Sequence, residues 1–310
     1  MLSQFAVIPG SFDPALASSP NALDLGIGCL NDLCRAEGLF LDLRAGAWGA
    51  ALDNMSTRAK AFLKFARNRH RIVQAPSQLG AEPDGEESWL WEAQAYHKKS
   101  PCRAIIAPNQ LAEDYASDPV VTGLERLNQT AWWGERSASR SIKRCTREYR
   151  SALALVLRHA NLLMFIDTYI DPLAPNYEEF PQLLVAAGTN DHKPIIQIHR
   201  ASWRKVGGKV EVQSLAGWIA DFNSWSEKLA RADIKADVFI WEDTHDRYLV
   251  SDIISISLPY GFDIGSDSDP PTTWSRIGTR EVERLQLEYE PACKLHGLAG
   301  AFVIGTPEGE

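Results

Sequence analysis

Short apolar runs alternate with amphipathic stretches along most of this chain, and the alternation predicts strands separated by helices. In the first 130 residues, FAVIPGSF begins as a strand, Ala22–Glu37 has helical spacing and stops at Gly38, and LFLDL is again a strand. Ser56–Asn68 is a helix with Ser56 as its cap, RIVQAP a strand, Glu86–Lys98 a helix opening on two acids that suit its dipole, and RAIIAP a further strand. Strand and helix in alternation predict a largely parallel sheet. The second half repeats the rhythm. LLMFIDTYID (Leu162–Asp171) is an apolar strand with a polar end, YEEFPQLLVAAG is helix-like, and KPIIQIHR is the next strand. From Ser214 to Arg231, Leu215, Trp218, Ile219, Phe222, Trp225 and Leu229 recur at helical spacing, and VFIW (Val238–Trp241) and YLV (Tyr248–Val250) close the series as two strands.

Between those last two strands the chain is entirely polar, and HDRYLVSD (His245–Asp252) sets His, Arg and Asp at the spacing His-x-Arg-x4-Asp. Strand periodicity places His245 and Arg247 on one face and Tyr248 on the other. An imidazole can attack phosphorus or protonate a leaving oxygen, and a guanidinium fork beside it can hold two phosphate oxygens. A late Gly-x-Asp follows, Gly261 and Asp263, eight residues after Asp252. The polar strand ends Asp167, Tyr169, Asp171, His199, Arg200, Asp243, His245 and Arg247 would converge at one sheet edge, where open α/β sheets bind ligands. Each has a plainer alternative. A His-Asp-Arg triplet also fits a salt-bridged corner, His199 a satisfied strand-end histidine, and Asp167 and Asp171 helix caps.

These residues resemble the phospholipase D superfamily, whose motif is His-x-Lys-x4-Asp followed by a small-residue Gly-Ser-x-Asn element. The chain departs from it in Arg247 for Lys, in a longer gap and in Asp263 for Asn. It is more similar to a divergent branch with a single His-Asp-Arg, which includes the phosphoinositide-binding C-terminal domain of MIT-domain proteins and relatives in bacterial antiphage defence loci. The resemblance spans Leu153 to Arg284. The strand and helix alternation of residues 1–130 is separately similar to a Rossmann-like, PIN-like α/β unit, read as a noncatalytic or degenerate scaffold; the phospholipase D resemblance implies a single-lobe phospholipase D-like α/β domain over residues 153–310. On that reading His245, Arg247, Asp252 and His199 are catalytic, Arg200, Gly261, Asp263, Arg276 and Arg280 bind phosphate, and Asp167, Asp171 and Asp243 orient His245. The resemblance implies a protein that binds nucleic-acid phosphodiesters, or cleaves them without metal or cofactor through a phosphohistidine. With a single motif per chain, cleavage implies a homodimer with paired His245 sites. The alternative is a subunit that grips phosphate or anionic lipid without cleaving it, and Arg247 in place of Lys favours that.

Charge sharpens the picture. The net charge is -8, yet from Ala131 to Ala160 seven Lys/Arg face two acids. Arg136, Arg140, Lys143, Arg144 and Arg147 are spaced as a helical stripe, so residues 131–152 are expected to form a basic helical connector suited to nucleic-acid phosphate, with Trp132, Trp133 and Tyr149 for stacking; a solvated helix face is the plainer alternative. A PIN-type metal site would need the acids Asp13, Asp42, Asp84, Glu87 and Glu92 to gather, which their spacing does not require. The five cysteines are scattered without a CxxC, so neither disulfide framework nor zinc site is signalled. Apolar runs too short to span a bilayer, and an N-terminus without a signal-peptide core, lead to the expectation of a cytoplasmic protein with membrane contact the lesser alternative.

Overall fold

The structure, a computed structural model, describes residues 1–188, 193–266 and 269–305, the side chain of Val206 excepted. The protein is α/β throughout, in two compact units, Leu2–Ser137 and Ala138–Glu310, the second counting Met1 as well.

The first unit comprises β1 (Ser3–Val7), α1 (Pro20–Ala36), β2 (Gly38–Asp42), α2 (Ala47–Ala50), α3 (Thr57–Asn68), β3 (Ile72–Gln74), α4 (Glu86–Lys99), β4 (Ala104–Ala107), α5 (Asn109–Asp114), β5 (Val121–Gly123) and α6 (Ala131–Gly134). Its five strands are all parallel, in the order β3-β2-β1-β4-β5. Period-2 alternation sorts its core into two sets. Phe5, Val7, Phe40 and Ile106 pack with α1 and α3, whereas Ala6, Ile8, Leu41 and Ile105 pack with α4 and α5. Ser56 caps α3 as expected, its Oγ accepting from Ala59 N at 3.1 Å, whereas α1 begins at Pro20, before the expected Ala22, with Ser19 Oγ accepting from Ala22 N at 3.2 Å. The acids considered for a metal site are dispersed into local hydrogen bonds. Asp42 accepts from Trp48 N, Asp13 from Ala15 N, Glu92 from the backbone of Gln78 and Leu79, and Glu87 from the Tyr115 hydroxyl. Among the described residues no three His, Cys, Asp or Glu side chains come together as a metal-ligand set.

The second unit comprises β6 (Ser139–Ile142), α7 (Thr146–His159), β7 (Leu162–Asp167), α8 (Pro181–Ala187), β8 (Ile195–Ala201), β9 (Trp203–Val206), β10 (Lys209–Val212), α9 (Leu215–Arg231), β11 (Ala236–Trp241), β12 (Arg247–Ser251), β13 (Ile256–Ser257), β14 (Thr272–Arg276), α10 (Thr279–Glu288) and β15 (Leu298–Ile304). Eight strands form one sheet in the order β15-β11-β8-β7-β12-β13-β14-β6, and β9–β10 is a separate hairpin. The trio β11-β8-β7 is parallel, and the other pairings are antiparallel. The carboxyl ends of the trio and the start of β12 therefore share one edge. One sheet face carries Phe165, Ile198 and Val238, on the side of Phe180, Trp218, Phe222 and Trp225; the other carries Met164, Ile166, Trp241 and Val250, packed on Leu285 and Tyr289 of the α10 segment. Among the described residues no helix is long and apolar enough to cross a membrane.

Two expectations are corrected here. The basic segment is not one helix. Gly134 ends a four-residue helix, the polar alternation Ser139, Arg140, Ser141 before Ile142 makes edge strand β6, and a new helix starts only at Thr146. The five cations are thereby divided among a turn, a strand, a connection and a helix, with Arg136 in the first unit and the rest in the second, so neither the stripe nor a 131–152 connector exists. The helix expected over 177–188 is shortened to Pro181–Ala187: a 3-10 turn covers Pro175–Tyr177, Phe180 is still right-handed helical at φ -52° and ψ -39°, and Pro181, which has no N–H to donate back to that turn, takes the first helical position.

Candidate functional site

The site grows from the shared edge of the trio and β12. Arg247 opens β12 opposite Asp167, the last residue of β7. Its guanidinium carbon lies 4.6 Å from the centre of the Tyr169 ring, Nη1 donates to Pro259 O, and the buried Nε lies 3.8 Å from Asp167 Oδ1 without a hydrogen bond. Nη2 makes no hydrogen bond among the described residues, and the side chain remains 31% exposed. Asp167 is fully buried, which pushes its carboxyl up to about 6, although it accepts from Phe262 N at 3.0 Å, Tyr169 N at 3.0 Å and Tyr177 Oη at 2.8 Å and faces Arg247. Close approach of the Gly261 backbone is what permits this arrangement. Gly261 has φ +65°, and a Cβ there would fall 1.9 Å from Asp167 Oδ2.

His245 lies just before β12, exposed, with its ring centre 6.1 Å from that of Trp203. Strand alternation extends to it, as expected. Asp246 accepts from Tyr289 Oη on one side, while His245 and Arg247 meet Trp203 and Tyr169, whose rings touch at 5.5 Å. Lys205 adds a second cation 5.5 Å from the Tyr169 ring. The edge thus gathers three rings and two cations.

Several expected members are elsewhere. His199 pairs with Ile166 and Phe239, which puts it on the opposite sheet face from Arg247. It stacks on Phe239 at 4.8 Å and accepts from Trp241 Nε1 at 3.1 Å, and burial pushes its pKa down to about 3; it is a neutral core histidine and no partner for His245. Arg200 is on Arg247's face but buried over the Trp218 ring at 3.4 Å, donating to three carbonyls, Ala201, Ile170 and Trp203, each at 2.6 Å. No fork is left for phosphate. Asp252 follows β12 at its far end, roughly 17 Å from the start of the strand, and accepts from Asn161 N at 3.0 Å and Leu162 N at 3.3 Å. Its role there is to clamp the start of β7.

None of the three orienting acids reaches His245. Asp167 serves Arg247. Asp171 accepts from Leu173 N and lies 3.4 Å from Arg204 Nε, and Asp243 meets His296 and Gly297 N. Asp263 is held bidentately by Arg144, at 3.1 and 2.7 Å, so one residue expected to bind phosphate neutralises another expected to bind nucleic acid. Arg144 also covers the Tyr260 ring at 4.5 Å. Arg136 pairs with Glu37 over Trp133. Arg140, Lys143 and Arg147 are exposed, and Arg147 lies 4.0 Å from Glu148. Arg276 pairs with buried Ile256 on β13, and Arg280 is exposed in the first turn of α10.

Trp203 and Lys205 were missed, although WRKVGGKVEV carries the signal. Alternation on both sides of a Gly-Gly pair marks a tight hairpin, and Gly207 and Gly208 take φ +56° and +81°.

Comparison with known proteins adds little. No protein-family profile and no curated protein matches the chain. A solved structure of TrmBL2, an archaeal chromatin protein that binds DNA, is similar at 11% identity over 68% of each chain with a TM-score of 0.27, a likeness that carries no argument.

Proposed function

We propose that the carboxyl edge of the second sheet binds the phosphate of a nucleic acid, with Arg247 as the anchor. The observation that carries this is the mounting of Arg247. A ring beneath it, a carbonyl at one end and a buried carboxylate behind it fix the guanidinium, while Nη2 makes no hydrogen bond among the described residues and the side chain is 31% exposed. A fixed, permanently charged fork suits phosphate oxygens. The chemistry favours holding over cleaving. Among the described residues no carboxylate is hydrogen-bonded to His245, and His199, the other imidazole of the expected pair, is locked in the core. Cleavage would need His245 of a second copy across a two-fold. The resemblance to phospholipase D-like relatives extends the proposal to a subunit of a bacterial antiphage assembly.

Two assays test it. In fluorescence anisotropy with labelled DNA and RNA, Arg247→Ala should weaken binding at least about tenfold and flatten the salt dependence by about one phosphate contact; unchanged affinity would remove Arg247 as anchor. With EDTA present, the native protein should leave the strands intact. Cleavage that disappears in His245→Ala would replace the binding reading with a metal-independent phosphodiesterase. A second reading, docking to an anionic lipid surface, is favoured by the exposed Val210 and Val212 beside Lys205 and Lys209, and predicts Arg247-dependent sedimentation with anionic vesicles.

A further inference from the structure

The hairpin β9–β10 presents two unlike faces. Its cross-strand pairs are Trp203 with Val212 and Lys205 with Val210 on one face, and Arg204 with Glu211 on the other. The Arg204 face is anchored. Arg204 pairs with Asp221 and Asp171 and covers the Trp218 ring at 4.3 Å, while Trp203 O accepts from the buried Arg200. The Trp203 face is the one turned to the phosphate site, since Trp203 meets Tyr169 at 5.5 Å and an interplanar angle of 83°, and His245 at 6.1 Å. Val210 and Val212 on that face are 59% and 79% exposed, Lys205 and His245 are exposed, and Trp203 and Tyr169 are half-buried.

A rigidly mounted indole, two further rings and two cations at the surface have a specific chemical complement. It is a planar π-system joined to phosphate. We infer that Trp203, with Tyr169 and His245, is a stacking platform for an unpaired base, and that the ligand of the Arg247 site is therefore single-stranded nucleic acid. This rests on the reading of Arg247 as phosphate anchor. In a duplex both faces of each internal base are covered by its neighbours, so only an unpaired base can offer its face to an aromatic ring. Lys205, on the Trp203 face and beside Tyr169, is placed to meet a second phosphate along the strand.

The test is anisotropy in EDTA with three labelled ligands of equal length: oligothymidylate, the same strand abasic throughout, and a blunt duplex. The native protein should prefer oligothymidylate. Trp203→Ala should weaken that ligand by about 5- to 100-fold, the range expected for one stacked base, and bring it to the abasic level. Trp203→Tyr should restore most of the preference, which separates stacking from a folding defect, and Arg247→Ala should weaken all three ligands. Equal, Arg247-dependent binding of oligothymidylate and the abasic strand overturns the platform and leaves the phosphate reading intact. Uniform loss of all three ligands in Trp203→Ala, without rescue by tyrosine, makes Trp203 structural and overturns the platform too. Binding without any Arg247 dependence removes both readings. Binding of anionic vesicles lost in Trp203→Ala, with no oligonucleotide bound, assigns the hairpin to lipid instead.

Discussion

Two His/Arg pairs stand near the same sheet edge, and they have opposite fates. His199 and Arg200 end β8; His245 and Arg247 open the path into β12. Arg200 is buried and donates to three carbonyls, and its pKa is lowered to about 9, first by burial. Arg247 donates to one carbonyl, covers a ring and faces the carboxylates of Asp167 and Asp263 without a hydrogen bond to either, and its Nη2 makes no hydrogen bond among the described residues. His199 is sandwiched by core aromatics, and His245 is exposed against a half-buried tryptophan. Residue type alone therefore predicts neither role. What matters is how many of the group's hydrogen-bonding positions the fold has already used.

The comparison can be broken most directly at the arginines. Arg200→Ala should destabilise the protein by about 3–5 kcal/mol in urea unfolding, because it strands three buried carbonyls and opens a void beneath Trp218. Arg247→Ala should cost clearly less, about 1 kcal/mol, because its side chain is partly exposed and makes one carbonyl hydrogen bond, while losing binding. Equal destabilisation by the two would erase the distinction.

Next in size is His199→Phe, expected to cost about 1–3 kcal/mol at neutral pH by leaving Trp241 Nε1 unpaired. Its pH dependence carries a sign. The folded pKa of His199, about 3, lies below the unfolded value, so its contribution is complete above about 6.5 and is lost as pH falls toward 3. The stability gap between native protein and variant should therefore shrink on acidification, and a constant gap would contradict a neutral core histidine.

Gly261→Ala should cost about 1–3 kcal/mol through strained backbone, with the clash against Asp167 adding to it, and should also weaken ligand binding by disturbing the support of Arg247. Normal stability and binding would show that Asp167 does not depend on that close approach. The smallest expected effect belongs to Lys143→Ala and Arg147→Ala, exposed cations whose loss should change only the salt dependence of binding, within about twofold at physiological salt.

Much of the architecture was legible along the chain. The first unit's parallel sheet followed from the alternation of FAVIP, LFLDL, RIVQAP and RAIIAP with helical stretches, and β8, α9 and β11 were foreseen nearly to their ends, whereas β7 stops at Asp167, four residues short of the expected Asp171. The five-stranded order, the edge strand β6, the short β13, and β14 and β15 were not, because strands of few residues take their partners from distant segments. Helical spacing from Arg136 to Arg147 misled for a related reason. A run of cations satisfies several periods at once, and Gly134 with the serine alternation decided between them. In the site, Arg247 and its side of the strand were readable, whereas Asp167 as support for Arg247, and Trp203 as its neighbour, required the fold.

By itself, then, the sequence determined the α/β class, the Ser56 cap, the position of the polar edge and the pairing of His245 with Arg247 on one side of the chain. All of these depend on local periodicity and on side chains a few residues apart. Only the tertiary structure decided that His199 faces the other side of the sheet, that Arg200 is spent on carbonyls, that Asp252 clamps the far edge and that Asp263 answers Arg144. A charged or titratable group is defined by its burial and its partners, and those are set by strand order, register and loops that bring together residues more than a hundred positions apart.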